Sequence, residues 1–354
     1  MIEYLDLIMF AVLMAAILLG FPVSFSIAGI GIIFAYIGLA TGEMDITLLG
    51  AMGQRVFGLL TNNVLIAIPL FVLMGAVLEK SRIAEELLDT MGRLFGQLRG
   101  GLGISVVLVG ALLAASTGIV GATVVAMGMI ALPTMLRSGY DPHVASGIVC
   151  TAGTLGQIIP PSTLLIILAD VMSNSFQQAQ YEQGKFSVEA LSVDKFFAAA
   201  VIPGLLLVSL YLIYILLRGW IRPQDMPPAP MDMAKPDRAE IIRAVVPPVL
   251  LIFAVLGAIL GGIATPTEAA SVGAIGALLM TGHKLGINPK LILLGTAALI
   301  LLGLFAGAFP VRFQRDDLSN GTFALGLVYA ALAVIGAVAV VLALRSALKE
   351  KVVH

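Results

Sequence analysis

Charge is what this sequence has least of. Asp, Glu, Lys and Arg make up 12% of its 354 residues, where a soluble domain carries about a quarter. The few charges cluster between long uncharged stretches. A bilayer imposes that distribution, since one charge at its centre costs about 2.5–3.5 kcal/mol on insertion scales. A net charge of −1 with no basic run offers no nucleic-acid surface. One cysteine, Cys150, excludes an internal disulfide. His143, His283 and His354 are too scattered for a metal site, and neither a His-Glu-x-x-His motif nor a P-loop occurs. Enzyme signatures are thus absent. A secretory signal is missing as well. Such a signal opens with basic residues, whereas this chain opens Met1-Ile2-Glu3-Tyr4-Leu5-Asp6, so residues 4–20 read as a retained first span.

What the sequence does have is apolar length. Hydrophobic residues make up 59% of the chain, the mean hydropathy is +1.05, and 38 glycines suit close helix packing in lipid. A span needs about 20 apolar residues. Candidates are 4–20, 22–41, 64–79, 141–170, 195–217, 244–262, 267–282, 290–309 and 323–345, so the predicted class is an all-α polytopic membrane protein. Within 82–98, Ile83, Leu87, Met91, Leu94 and Leu98 recur at helical spacing, which predicts an amphipathic helix lying on the membrane surface. Residues 171–194 are polar. Residues 218–243 hold Arg218, Arg222, Lys235, Arg238 and Arg243 around a Pro-rich run, a linker that cannot be helical throughout. The stretches 80–99 and 218–243 are richest in Lys and Arg, which places both in the cytoplasm and the N-terminus outside.

That parity constrains segment 101–136, flanked by Arg99 and Arg137. A single crossing would spoil every later span, so the segment is predicted to enter and return as a re-entrant hairpin. Its tip would lie in Ala115-Ser116-Thr117-Gly118-Ile119-Val120-Gly121-Ala122-Thr123. The alternative is two short ordinary helices with a Gly-rich packing face. A second polar island, Gly153-Thr154-Leu155-Gly156-Gln157-Ile158-Ile159-Pro160-Pro161-Ser162, interrupts the run 141–170. Two consecutive prolines remove two amide donors and push Ile159 out of helical geometry, and Gly153 and Gly156 are expected to loosen the turn before them. The expectation is a helix, an unwound bend and a second half-helix. Irregular backbone at membrane depth survives where it lines a cavity or is buried in protein. There its carbonyls can hold a cation, and a half-helix N-terminus favours a carboxylate. A plain proline kink without a ligand is the alternative. The candidate substrate- and ion-binding residues are Ser116, Thr117, Gly118, Gly121, Thr123, Gly153, Thr154, Gly156, Pro160, Pro161 and Ser162, with a cation nearest Ser116, Thr117 and Thr154. Elsewhere, Thr265-Pro266-Thr267-Glu268 reads as a capping box, Asn62-Asn63 as the cap of the 64–79 helix, and Asp170 as interfacial. With no nucleotide site, transport would be driven by an ion gradient or by a partner.

Gly20-Phe21-Pro22 and Ala264-Thr265-Pro266 each follow an apolar helix, with Gly29 and Gly273 seven residues after their prolines. The assigned topology runs the two preceding helices in opposite directions, as an inverted repeat does. With Gly20-Phe21-Pro22-Val23, Ile68-Pro69-Leu70-Phe71, Met74-Gly75, Ala115 to Thr123, Gly139-Tyr140-Asp141-Pro142, Gly153 to Ser162 and Thr265-Pro266-Thr267-Glu268-Ala269-Ala270 in this order, the chain resembles the large membrane (permease) subunit of tripartite ATP-independent periplasmic (TRAP) transporters over residues 1–285. The resemblance implies an elevator-type fold with inverted repeats in a bacterial inner membrane and sodium as coupling ion. It also implies a small membrane subunit as partner, and a periplasmic binding protein that delivers an organic acid or polyol.

The resemblance also implies a second hairpin and a second Pro-Pro bend, and neither follows residue 285. The expected organisation is a first repeat over 1–217, a cytoplasmic linker over 218–243, the start of a second repeat over 244–285, and two extra spans over 286–354, read as an inserted helical hairpin. Pro22 and Pro266 are 244 residues apart (266 − 22), so a partner for the tip at Ser116 falls near position 360 (116 + 244), beyond His354. The second repeat is therefore expected to be incomplete here and to need a further segment. Two other readings stand beside the ion-coupled one. These are an antiporter of a related elevator fold working without a binding protein, and a non-transporting membrane scaffold or fragment.

Overall fold

The computed structural model describes residues 5–42, 44–117, 120–185, 191–229, 235–308 and 320–350. Among them every regular element is helical. The chain forms two compact units, Met1–Asn62 and Asn63–His354.

The first unit holds α1 (Leu5–Leu18), α2 (Val23–Thr41) and α3 (Ile46–Leu60). Long apolar stretches make α1 and α2, and they stop where the sequence supplies a stop. Gly20 takes φ +87°, a conformation open to glycine at no steric cost. The Gly20 amide bonds the Ile17 carbonyl at 3.0 Å. Pro22 then stands immediately before α2. No span was expected over 42–63, yet a helix lies there.

The second unit runs through α4 (Ala67–Lys80), α5 (Ile83–Phe95), α6 (Gly101–Thr117), α7 (Val120–Arg137), α8 (Pro142–Thr154), α9 (Thr163–Glu182), α10 (Val193–Ile221), α11 (Arg238–Leu260), α12 (Pro266–Lys284), α13 (Pro289–Ala308) and α14 (Asn320–Lys349). Helices α2, α10 and α11 and the stretch Leu325–Lys349 are long and apolar enough to cross a membrane. One core gathers α5, α6, α7, α8 and α10. A second gathers α4, α9, the start of α10, α11 and α12 around Phe71, Met74 and Phe197. Apolar contact supplies little net drive between helices in lipid, so close backbone approach matters instead. A Cβ on Gly295 of α13 would lie 2.2 Å from the Ala339 Cβ of α14.

Helices α4 and α12 run side by side in the same direction. At their N-terminal ends the Thr267 hydroxyl donates to the Asn63 carbonyl. At their C-terminal ends Lys284 Nζ donates to the Arg82 carbonyl at 2.9 Å and pairs with Glu86 at 2.7 Å. The capping box of α12 forms as its sequence predicts: the Glu268 amide donates to Thr265 Oγ1 at 3.3 Å, and the Thr265 amide to Glu268 Oε2 at 2.8 Å.

One local expectation is corrected. Asn62-Asn63 do not cap α4, whose N-cap is Ile66 with no side-chain bond; a turn at 63–66 intervenes. The polar stretch 171–194 is largely helical, because α9 continues to Glu182. Helix α5 is amphipathic as predicted; Ile83 and Leu87 of its stripe are buried against the protein, whereas Leu94 and the following Leu98 are exposed. One ion pair ties it to α11. Arg93 bridges Asp89 at 3.0 Å and Glu240 on α11, and the Glu240 hydrogen bond raises the Arg93 pKa.

Candidate functional site

Helices α6 and α7 are the arms of a hairpin, joined through Gly118 and Ile119. Both ends of the hairpin meet one short strap, residues 222–229. The Gly100 amide, at the start of α6, donates to the Met226 carbonyl at 3.1 Å. The Asp141 amide, past the end of α7, donates to the Asp225 carbonyl at 3.0 Å. Neighbouring strap residues thus hold both ends, so the segment leaves and returns to one side. The Ala229 amide also bonds the Gly96 carbonyl at 2.7 Å, the Met226 side chain is fully buried, and Arg218 pairs with Asp225 at 2.7 Å. Sequence reasoning took this stretch for a plain linker. The signal that marks it is an apolar Met226 between Asp225 and Pro227.

Helix α8 starts at the same base and runs alongside the hairpin. Asp141 caps it, accepting from the His143 and Val144 amides at 2.9 and 3.1 Å. Two glycines set the approach. A Cβ on Gly110 of α6 would lie 2.8 Å from the Ala152 Cβ, and one on Gly153 would lie 2.4 Å from Val124 Cγ2 and 3.0 Å from Val124 Cα on α7. Gly153 therefore lies within α8, where it admits α7, and does not loosen a turn. Both hairpin arms are in this way fixed to the last turn of α8.

Just there α8 stops. A 3-10 turn, Leu155–Gln157, follows, and helix resumes only at Thr163. The Pro160–Pro161 bond is cis. Ser162 is fully buried. Its hydroxyl donates to the Gln157 carbonyl at 2.8 Å and accepts from the Leu165 amide at 3.5 Å, so it bridges the break and caps α9. Gly204 of α10 covers the flank; a Cβ there would lie 3.3 Å from Ile159 Cγ1.

The predicted site residues distribute as follows. Gly153, Gly156, Pro160, Pro161 and Ser162 are buried in or beside the break. Thr154 is exposed at the end of α8, its hydroxyl donating to the Thr151 carbonyl at 2.8 Å. Thr123 is buried near the start of α7 and has an interaction partner. Gly121 sits in the first turn of α7 with open space beside it. Ser116 and Thr117 end α6. Gly118 lies outside the described residues. No Asp, Glu, Lys or Arg occurs in 100–136 or 142–169, and no group of three or more metal-ligating side chains occurs among the described residues. Recognition of charge here falls to helix ends and carbonyls. The N-terminus of α9, capped by Ser162, turns the positive end of a helix dipole toward the break.

The hairpin's base carries the charged and titratable groups. Tyr140, in the connection between α7 and α8, is 3% exposed, and its hydroxyl has no hydrogen-bond partner of good geometry. Burial pushes its pKa up to about 12, against the pull of the nearby Gly103 and Leu102 amides.

A hairpin whose two ends meet at one strap, laid against an interrupted helix among helices long and apolar enough to cross a membrane, defines a polytopic α-helical membrane protein. The chain belongs to the family described as the tripartite ATP-independent periplasmic transporter, DctM component, whose profile matches residues 8–345. The match runs on past residue 285, where the recognisable motifs end. Among its relatives is the C4-dicarboxylate TRAP transporter large permease protein of Pseudomonas aeruginosa, 34% identical over 266 residues, which are 73% of this chain and 57% of the relative. The protein of the same name in Rhodobacter capsulatus is 31% identical over 276 residues, 78% of this chain and 60% of the relative. The ectoine TRAP transporter large permease protein of Halomonas elongata is 28% identical over 276 residues, 77% of this chain and 58% of the relative. The chain thus spans less than two thirds of the length of these relatives. The family is one of permeases, not enzymes.

Proposed function

We propose that this chain works in sodium-coupled secondary transport of a small organic acid across a bacterial inner membrane, together with a small membrane subunit and a periplasmic binding protein. The observation that carries the proposal is the fixing of both hairpin arms, through Gly110 and Gly153, onto the helix that breaks at Leu155–Ser162. This supports a site formed by the hairpin's hydroxyl groups, the unwound carbonyls of the break and the N-terminus of α9. Sodium takes oxygen ligands, as hard cations do, from carbonyls and hydroxyls near Ser116, Thr117 and Thr154. The N-terminus of α9 and the bound sodium attract the substrate carboxylate where no Lys or Arg does. Relatives named for C4-dicarboxylates and for ectoine support an acid as substrate.

Basic residues support an orientation with the strap and α5 in the cytoplasm and the N-terminus in the periplasm. An inverted repeat, with a first half in 1–217 and the start of a second in 244–285, is supported by two turns of one kind. Gly20 at φ +87° and Gly262 at φ +65° each close the helix before Pro22 and Pro266. In an elevator mechanism the hairpin, α8 and the α9 N-terminus would move as one body.

The test is sodium-driven uptake of a C4-dicarboxylate and of ectoine into vesicles holding this chain with its two partners. Alanine in turn at Ser116, Thr117, Thr123, Thr154 and Ser162 is expected to weaken the sodium response about tenfold at one or more positions. That corresponds to the roughly 1.5–3 kcal/mol of a hydrogen bond to a charged group. Five variants that all keep the parent's sodium dependence would remove the site.

A further inference from the structure

Helix α3 has no role in the site described, and its make-up is unlike that of its neighbours. It has 15 residues, about 22 Å at 1.5 Å per residue, where the hydrocarbon core is about 30 Å thick. Met52, Val56, Leu59 and Leu60 recur at i, i+4, i+7 and i+8 and form one stripe. They are 53, 49, 58 and 73% exposed. Thr47, Gln54 and Gly58 fall on the opposite face by the same periodicity. A stripe of large apolar side chains at this exposure has no place in water.

The start of α3 is fixed at the end of a span. Gly42, at φ +78°, returns its amide to the Gly38 and Leu39 carbonyls and ends α2. The Met44 amide then folds back onto the Gly38 carbonyl at 3.1 Å, and a Cβ on Gly38 would lie 3.1 Å from the Met44 Cβ. Asp45 follows at once, its Oδ1 accepting from the Thr47 amide at 2.9 Å. The Thr47 hydrogen bonds hold this carboxyl below its ordinary pKa, so it is ionised at neutral pH and needs water or headgroups around it. Helix α3 therefore begins at the depth where α2 leaves the membrane.

We propose that α3 lies in the plane of the membrane interface as an anchor, its stripe Met52–Val56–Leu59–Leu60 sunk among the upper acyl chains and its Gln54 face in water. The occupant of the exposed stripe is phospholipid. The adjoining helix α2, long and apolar enough to cross a membrane, presents large apolar side chains at similar exposure, Phe25, Ile32, Ile33 and Tyr36. Arg55 lies on the flank of the stripe, at the level of lipid phosphates, where a long side chain can keep its charge wet while its stem covers apolar surface. An in-plane helix resists movement along the membrane normal, since either direction strips one face of its solvent. It thus fixes the depth of α1 and α2.

The experiment uses the whole chain in phosphatidylcholine vesicles and reads depth by fluorescence. Trp220 is the one tryptophan and is replaced by phenylalanine. Single tryptophans then go in at Leu60→Trp, Val56→Trp and Gln54→Trp, all on exposed positions that tolerate a larger ring. Lipids brominated high on the acyl chain should quench the tryptophans at 56 and 60 at least about twofold more than lipids brominated near the chain end, and should leave the one at 54 little affected. Stronger quenching by the deep label would make α3 a spanning element and overturn the proposal. No quenching at 56 and 60 by either label would also overturn it, and would mean that a partner subunit or a second copy covers the stripe.

Discussion

The two ends of the hairpin assembly are held by different forces. The base, where α6, α7 and α8 meet the strap, uses main-chain hydrogen bonds from Gly100, Asp141 and Ala229, the Arg218–Asp225 ion pair and the buried Met226. The distal end, from Gly153 to Ser162, has no charge at all. It relies on backbone approach at Gly110 and Gly153 and on one hydroxyl bridging the break. The difference follows from surroundings. Charged groups are tolerable near the aqueous edge and costly at depth, so an anchor can use them and a site within the bilayer uses small residues and backbone. On the proposed function, the base is the part to weaken without touching transport, and the distal end the part where small changes reach it.

Substitution at Met226 should have the largest effect on stability. The side chain is fully buried between the loop at Gly100 and the core around Ile215, and removing a buried methionine costs about 2–5 kcal/mol. Met226→Ala should therefore lower the thermal midpoint of the detergent-solubilised chain markedly. Molecules that still fold should keep the parent's sodium dependence of uptake. A changed sodium dependence would merge the two ends into one functional region.

Gly153→Val comes next. The new Cβ would meet Val124 at its backbone as well as its side chain, and overpacking of this kind costs about 1–3 kcal/mol. Because it parts α7 from the end of α8, uptake should fall more than stability does. Gly257 on α11 is the control, with nothing within 4 Å of its would-be Cβ. Gly257→Ala should be neutral or stabilise the helix by about 0.5–1 kcal/mol. Equal losses of uptake in both variants would argue against a special role for the contact at Gly153.

Much of this arrangement is legible in the sequence, though not all for the reasons first assigned. Apolar length locates the spans, and parity of the basic residues predicts the hairpin. Proline pairs are less decisive. Pro160-Pro161 coincides with a break, whereas Pro247-Pro248 sits inside a continuous α11. In α11 the carbonyls freed by the prolines are those of Arg243 and Ala244, within two turns of the helix start. At the break, Ser162 takes the Gln157 carbonyl and caps the next helix. A polar residue able to serve the released backbone separates the two cases, and Ser162 is visible in sequence. Gly153 was legible as a special position but not as a contact, because Val124 is 29 positions away (153 − 124). The strap and α3 were not legible as span candidates. One hides a single apolar residue in a polar run, and the other is too short to pass for a crossing.

The smallest expected effect concerns Tyr140 and sharpens the account of the base. Its phenol is buried without a partner of good geometry, so its hydroxyl adds nothing that a ring alone would lack. Tyr140→Phe should leave stability at neutral pH almost unchanged. Alkaline pH separates the two proteins. In the folded chain the pKa stands at about 12, raised by burial from an ordinary 10.0. A raised folded pKa means that the unfolded chain releases the proton first. The protonated phenol's contribution is then complete below about pH 10 and is lost as pH climbs from there toward 12. Lysines titrate over the same range, so the informative quantity is the difference between parent and variant. Thermal unfolding of both at pH 8 and at pH 11 should give matching midpoints at the lower pH and a lower midpoint for the parent at the higher. Parallel curves throughout would show that water reaches the phenol, and that the base is looser than its hydrogen bonds to the strap imply.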